Sequence, residues 1–141
     1  MGKRARGSAR RRPDRGRREA AAIARFEQLV DRALAGIPEP FRGSLGEVAI
    51  VIEDEPSERQ LVENDVGPDE TLYGLYEGVP RTEWGADWAM VPNRISLFRL
   101  PLEEDFPDPA ELELEVRRTV VHELAHHLGI DDERLDELGA G

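Results

Sequence analysis

A chain of 141 residues, 39% of them hydrophobic, is long enough for one domain with a buried core, and none of its apolar runs approaches the length needed to span a bilayer. It contains no cysteine, which excludes a disulfide framework and thiolate metal ligation and fits a reducing, cytoplasmic setting. The net charge of −11 conceals a division: residues 1–18 carry nine Lys or Arg against Asp14 alone, whereas the remainder carries ten basic and 29 acidic residues.

Residues 1–18 read as a disordered arginine-rich tail, because they have almost nothing to bury. A sharper alternative is weak contact with nucleic acid or another anionic surface, which would be strongly salt-dependent. The acidic body repels phosphate backbones and argues against that role for the folded domain. Arg11-Arg12 and Arg17-Arg18 invite an export-signal reading, but Arg25 and Glu27 interrupt the chain before a signal-length apolar stretch develops.

The domain is expected over residues 19–141. Ile23, Phe26, Leu29, Val30, Ala33 and Leu34 recur at threes and fours and predict a first core helix, stopped by Gly36 and Pro38. The run Val48 to Ile52, between Glu47 and Glu53, is apolar and mostly β-branched, and predicts a central strand covered on both faces. Residues 54–70, punctuated by Pro56, Gly67 and Pro68, predict a loop with one helical turn around Glu58 to Val62. Strands are expected over Thr71 to Tyr76 and Arg94 to Leu100, followed by a loop bracketed by Pro101, Pro107 and Pro109. Asp108, with Glu111 three residues on, caps the last helix. Helix, strand, strand, strand, helix gives an α+β fold, a three- or four-stranded sheet with two main helices packed on one face.

The last helix holds the chemistry. His122 and His126 stand at i and i+4, one above the other on a single helix face, where two imidazoles can grip one ion. Glu123 is rotated about 100° from His122 and stands beside that ion, as a general base for an activated water should. Gly129 permits a left-handed helix end that turns the chain back, bringing Asp132, or failing that Asp131, within reach as a third ligand. Catalytic zinc usually takes three such ligands and keeps a fourth position open. On a helical wheel Val116, Val120, Val121, Leu124, Ala125 and Leu128 share one arc, with His122 and His126 opposite. His127 falls among the apolar positions and reads as a partly buried histidine bonded to backbone.

The run HELAHHLGIDDERLDELG resembles the signature of the small bacterial zincin-like metallopeptidases, which have a minimal matrix-metalloprotease-like domain. The resemblance extends to the segments Leu72 to Gly78 and Pro92 to Phe98, and so covers about residues 19 to 141. It implies a small zincin-like domain holding one zinc ion through His122, His126 and Asp132, with Glu123 as catalytic base and a peptide or protein as substrate. Larger metzincins place a methionine-containing turn beneath the metal, downstream of the motif, whereas the methionines here are Met1 and Met90. The alternative to an active peptidase is a catalytically weak or inactive metal-binding domain that serves as an interaction module.

Around this centre Tyr73, Tyr76, Trp84 and Trp88 suit either a cleft lining or ordinary packing. Tyr73, Tyr76 and Arg134 are the candidates for an oxyanion partner. The strand with Gly74 in its interior is either a plain edge or one to which an extended peptide adds.

Overall fold

The computed structural model describes residues 2–78 and 93–137, with side chains from residue 15 onward; Trp84, Trp88, Met90 and Pro92 lie outside the described residues. The elements are α1 (Gly2–Ala35), a 3-10 turn (Arg42–Glu47), β1 (Ala49–Glu53), α2 (Glu58–Glu63), β2 (Gly74–Glu77), β3 (Arg94–Phe98), α3 (Arg99–Asp105), α4 (Pro109–His127) and α5 (Asp132–Glu137).

The repeat at threes and fours becomes the buried stripe of α1, where Phe26, Leu29, Val30 and Ala33 pack into the core. The helical backbone runs on through the arginine-rich stretch, because a packed helix supplies the nucleus that an isolated segment of such composition lacks. Helix α4 packs on α1, and on its other side lies against β2 and β3. Asp108 caps α4, its side chain accepting from the Glu111 amide at 3.2 Å, and Pro109 occupies the first turn, where its missing N–H costs nothing. Arg117 ties the two helices by donating to the Ala33 carbonyl at the end of α1, a favourable place for a cation.

The sheet has the order β1-β3-β2, with β1 parallel and β2 antiparallel to β3. Among the described residues the expected central strand is therefore an edge: β1 is only partly buried, while Ile95, Ser96, Leu97 and Phe98 of β3 are completely buried. A continuous β-branched run indicates covered faces, not covered edges, and Ser96 and Arg94 gave β3 a more polar look than its place in the sheet deserves. Ser96 is accommodated at zero exposure by a hydrogen bond from its hydroxyl to Glu53 Oε1, 3.1 Å away.

The third strand ends at Phe98 rather than Leu100, and the expected proline-bracketed loop is instead α3. Pro101 sits in the first turn of this helix, where no intrahelical partner is lost. The side chain of Arg99 is nearly buried between Asp54 and Glu103, with contacts of 3.0 and 2.7 Å, and these pairs anchor the turn from strand to helix. The expected helical turn at residue 58 is α2, opened by a capping box between Ser57 and Gln60.

Gly74 fixes how near the sheet comes to α4. A Cβ built there would lie 2.5 Å from Thr119 Cγ2 and 3.2 Å from the Ser96 carbonyl oxygen. A Gly74→Ala variant should therefore force β2 away from α4, at a cost of about 1–3 kcal/mol typical of overpacking. An unchanged urea midpoint would show that the contact is slack.

Candidate metal centre

Leu112, Val116, Val120, Val121, Leu124 and Ala125 of α4 face the core, which turns the opposite side of its last two turns toward a cleft. There the side chains of His122 and His126 are 42% and 45% exposed, their rings 5.0 Å apart. The helix ends as its glycine demands. Gly129 has φ 74°, and Ile130 N–H donates back to the Ala125 carbonyl at 2.7 Å, the bond of a left-handed helix stop.

The reversed chain then separates the two aspartates. The Asp131 side chain accepts from the Arg134 amide at 2.8 Å and so caps α5, whereas Asp132 Oδ1 stands 3.6 Å from His122 Nε2. His122, His126 and Asp132 each offer a donor atom, all within 4.8 Å of one another. Nitrogen and oxygen donors about 2.0–2.2 Å from a tetrahedral zinc lie roughly 3.3–3.5 Å apart, so small rotamer changes bring this set to that geometry. The donor types suit zinc equally well.

Glu123 is a different kind of residue: only 7% exposed, it lies at the edge of the same cleft with Oε1 accepting from the Tyr76 backbone N–H at 2.8 Å. Burial pushes its carboxyl above the ordinary carboxylate value; the Tyr76 N–H and the charge of His122 pull it back, and Asp132 adds to the rise. Its Oε2 lies 3.6 Å from His126 Nδ1. The cleft has a volume of about 500 Å³ and is walled by β2 and by the turns of α4 that carry Glu115, Thr119, His122 and Glu123.

His127 is completely buried, and its ring reaches side chains rather than the backbone expected of it: Tyr76 Oη at 3.1 Å from Nδ1 and Glu47 Oε1 at 2.8 Å from Nε2. Both partners are distant in sequence, and the only local hint was the doubled histidine itself. The three oxyanion candidates are all engaged elsewhere. Tyr73 donates to Asp105 Oδ2 at 2.5 Å and is pushed up to about 12, first by that bond and then by burial. The Tyr76 hydroxyl joins His127 and Asn93, and Arg134 pairs with Glu137.

Residues 45–141 match the family model described as zincin-like metallopeptidase. The chain belongs to this family. The small mixed sheet with its motif-bearing helix agrees with a zincin-like fold, and membership points to a metal-binding hydrolase of the peptidase class. The matched residues include α4, against which α1 packs. No curated protein matches the chain. Among the described residues no helix is long and apolar enough to cross a membrane.

Proposed function

We propose that the protein is a zinc-dependent metallopeptidase that hydrolyses peptide bonds with water as nucleophile and Glu123 as general base. The observation that carries this reading is the gathering of His122, His126 and Asp132 donors within 4.8 Å of one another, with His122, His126 and the desolvated Glu123 lining one cleft. His122, His126 and Asp132 would hold one zinc ion, which when bound would supply Lewis acidity to polarise a scissile carbonyl and bring the pKa of a water toward about 7.

Glu123 does the proton work. Its Oε1 is occupied by the Tyr76 N–H, which leaves Oε2 to take the proton from the attacking water and pass it to the departing amine. A positioned carboxylate in this role contributes ~100- to 10,000-fold.

The substrate is held as an extended strand. Phe98 N–H donates to the Tyr73 carbonyl, so the alternating pattern of an antiparallel pair turns the backbone groups of Gly74 and Tyr76 away from β3. Tyr76 N–H meets Glu123, while the Gly74 groups and the Tyr76 carbonyl face the cleft side, where a peptide can add as a further strand. Next to this edge the Glu115 side chain is 13% exposed, and Arg118 reaches it from solvent at 3.5 Å. With an acidic body this wall favours basic or neutral peptides over acidic ones, less so at high salt. Glu115→Lys should accordingly lower cleavage of Lys- and Arg-containing members of a peptide library relative to acidic ones. An identical cleavage profile would remove Glu115 from the recognition surface.

The second reading, a metal-binding interaction module with weak or no turnover, draws support from the hydrogen bonds that engage Tyr73 with Asp105, Tyr76 with His127 and Arg134 with Glu137. Elemental analysis combined with a peptide-library digest of the wild type and Glu123→Gln decides between the two. The peptidase binds near-stoichiometric zinc and cleaves only with Glu123 in place; an interaction module binds zinc and cleaves nothing. A cytoplasmic location agrees with the lack of cysteine, and a weak, salt-sensitive contact of residues 1–18 with an anionic surface is independent of the peptidase reading.

A further inference from the structure

Glu123 and His127 stand four residues apart on α4, one turn above the other, and both close on a single residue of β2. Tyr76 gives its backbone N–H to Glu123 Oε1 at 2.8 Å, while its phenol lies 3.1 Å from His127 Nδ1, with ring centroids 5.6 Å apart. His127 is itself fixed from behind by Glu47, at the end of the 3-10 turn. The phenol also meets Asn93 Oδ1 at 3.1 Å.

Such an arrangement answers a specific weakness. Among the described residues β2 has a strand neighbour on one side only, and the Tyr76 N–H points away from that neighbour. A strand held by one ladder opens more readily than a central one. The base takes one of its hydrogen bonds from this strand, so any drift of β2 would move Glu123 as well.

We propose that Tyr76 is the positioning residue for Glu123: gripped at its phenol by His127, it keeps its backbone N–H on Oε1 and thereby holds Oε2 toward the cleft. The proposal rests on the reading of Glu123 as general base. It also gives the second histidine of the His126-His127 pair a task distinct from that of the first, since His126 faces the cleft and His127 the clamp.

The test uses the zinc-loaded full chain and a mixed-sequence quenched-fluorescent peptide pool, together with amide hydrogen exchange on the zinc-free protein. Tyr76→Phe should lower kcat about tenfold, the scale typical of groups that orient a metal site's working residues, with KM within about twofold and zinc stoichiometry unchanged. Two variants at His127 separate positioning from simple packing. An asparagine amide places a polar atom where Nδ1 stood and a glutamine amide where Nε2 stood. His127→Asn should therefore keep the Tyr76 contact and most of the turnover, whereas His127→Gln should fall with Tyr76→Phe. In the zinc-free proteins the Tyr76 amide should exchange about tenfold faster in Tyr76→Phe and His127→Gln, with α4 amides unaltered.

Wild-type kcat together with wild-type Tyr76 exchange in Tyr76→Phe would overturn the proposal, and so would identical behaviour of the two His127 variants. A wild type that cleaves no peptide would instead defeat the peptidase reading, and the exchange rates would still decide whether the clamp exists. Cleavage by Glu123→Gln at the wild-type rate would remove the base, whatever the clamp does.

Discussion

Glu123→Gln should retain zinc and lose turnover by ~100- to 10,000-fold, the contribution of a positioned general base. Glutamine keeps the shape of the side chain and an oxygen for the Tyr76 N–H, so the cleft should be undisturbed while the basic oxygen is gone. Stability should move the other way. The folded-state pKa of Glu123 is raised, chiefly by burial, so its protonated form is the one the fold prefers. The stability associated with that preference is fully present below the unfolded carboxylate value and is lost as pH rises through the raised one. Zinc-free Glu123→Gln should thus melt at or above the wild type at neutral pH, with the difference closing as pH is lowered. Thermal melts at several pH values, paired with the peptide digest, read both effects. A variant that cleaves like the wild type, or melts lower at neutral pH and equally at acid pH, would contradict the assignment.

His122→Ala should abolish zinc binding and every property that depends on it. The proposed site takes two donors from the end of α4 and one from the start of α5, and removing an imidazole leaves a histidine and an exposed aspartate with little hold on an ion. Ligand that binds only the folded state stabilises it by about 2.7 kcal/mol at a free concentration 100-fold above Kd. For a domain of this size that corresponds to roughly 8 °C in melting temperature. The wild type should show a shift of this order on zinc addition, reversed by chelator, and His122→Ala should show none. Asp132→Asn should weaken the shift while Asp131→Asn, at the cap of α5, should lower baseline stability and leave the zinc dependence in place. Equal zinc responses from all four proteins would mean that the metal sits elsewhere.

What could be read from the chain alone follows the range of the interactions involved. The pairing of His122 with His126, the flanking Glu123 and the stop at Gly129 are consequences of helix pitch and backbone freedom within eleven residues, and they emerge at the expected places. The Asp108 cap is equally local. Strand order is not local. The Val48 to Ile52 run and the segment from Arg94 both announce strands, but which lies in the middle depends on partners more than forty positions away, and only the Ser96 to Glu53 bond shows how β3 tolerates a hydroxyl there. Helix α3 was hidden because a proline in a first turn and a proline in a loop look alike in sequence, and the Asp54 to Arg99 pair joins residues 45 positions apart. The partners of His127 were beyond reach for the same reason, Glu47 being eighty residues distant.

The proposed third donor comes from a separate piece of structure. Asp132 opens a six-residue helix whose one buried side chain is Leu135, and a segment that short has little helical stability of its own in water. An ion held by His122, His126 and Asp132 would therefore tie this short helix to the end of α4, adding to the anchorage that the buried Leu135 already provides. Metal occupancy would then be written into protease sensitivity just past Gly129, a signal that can be followed without any knowledge of the substrate.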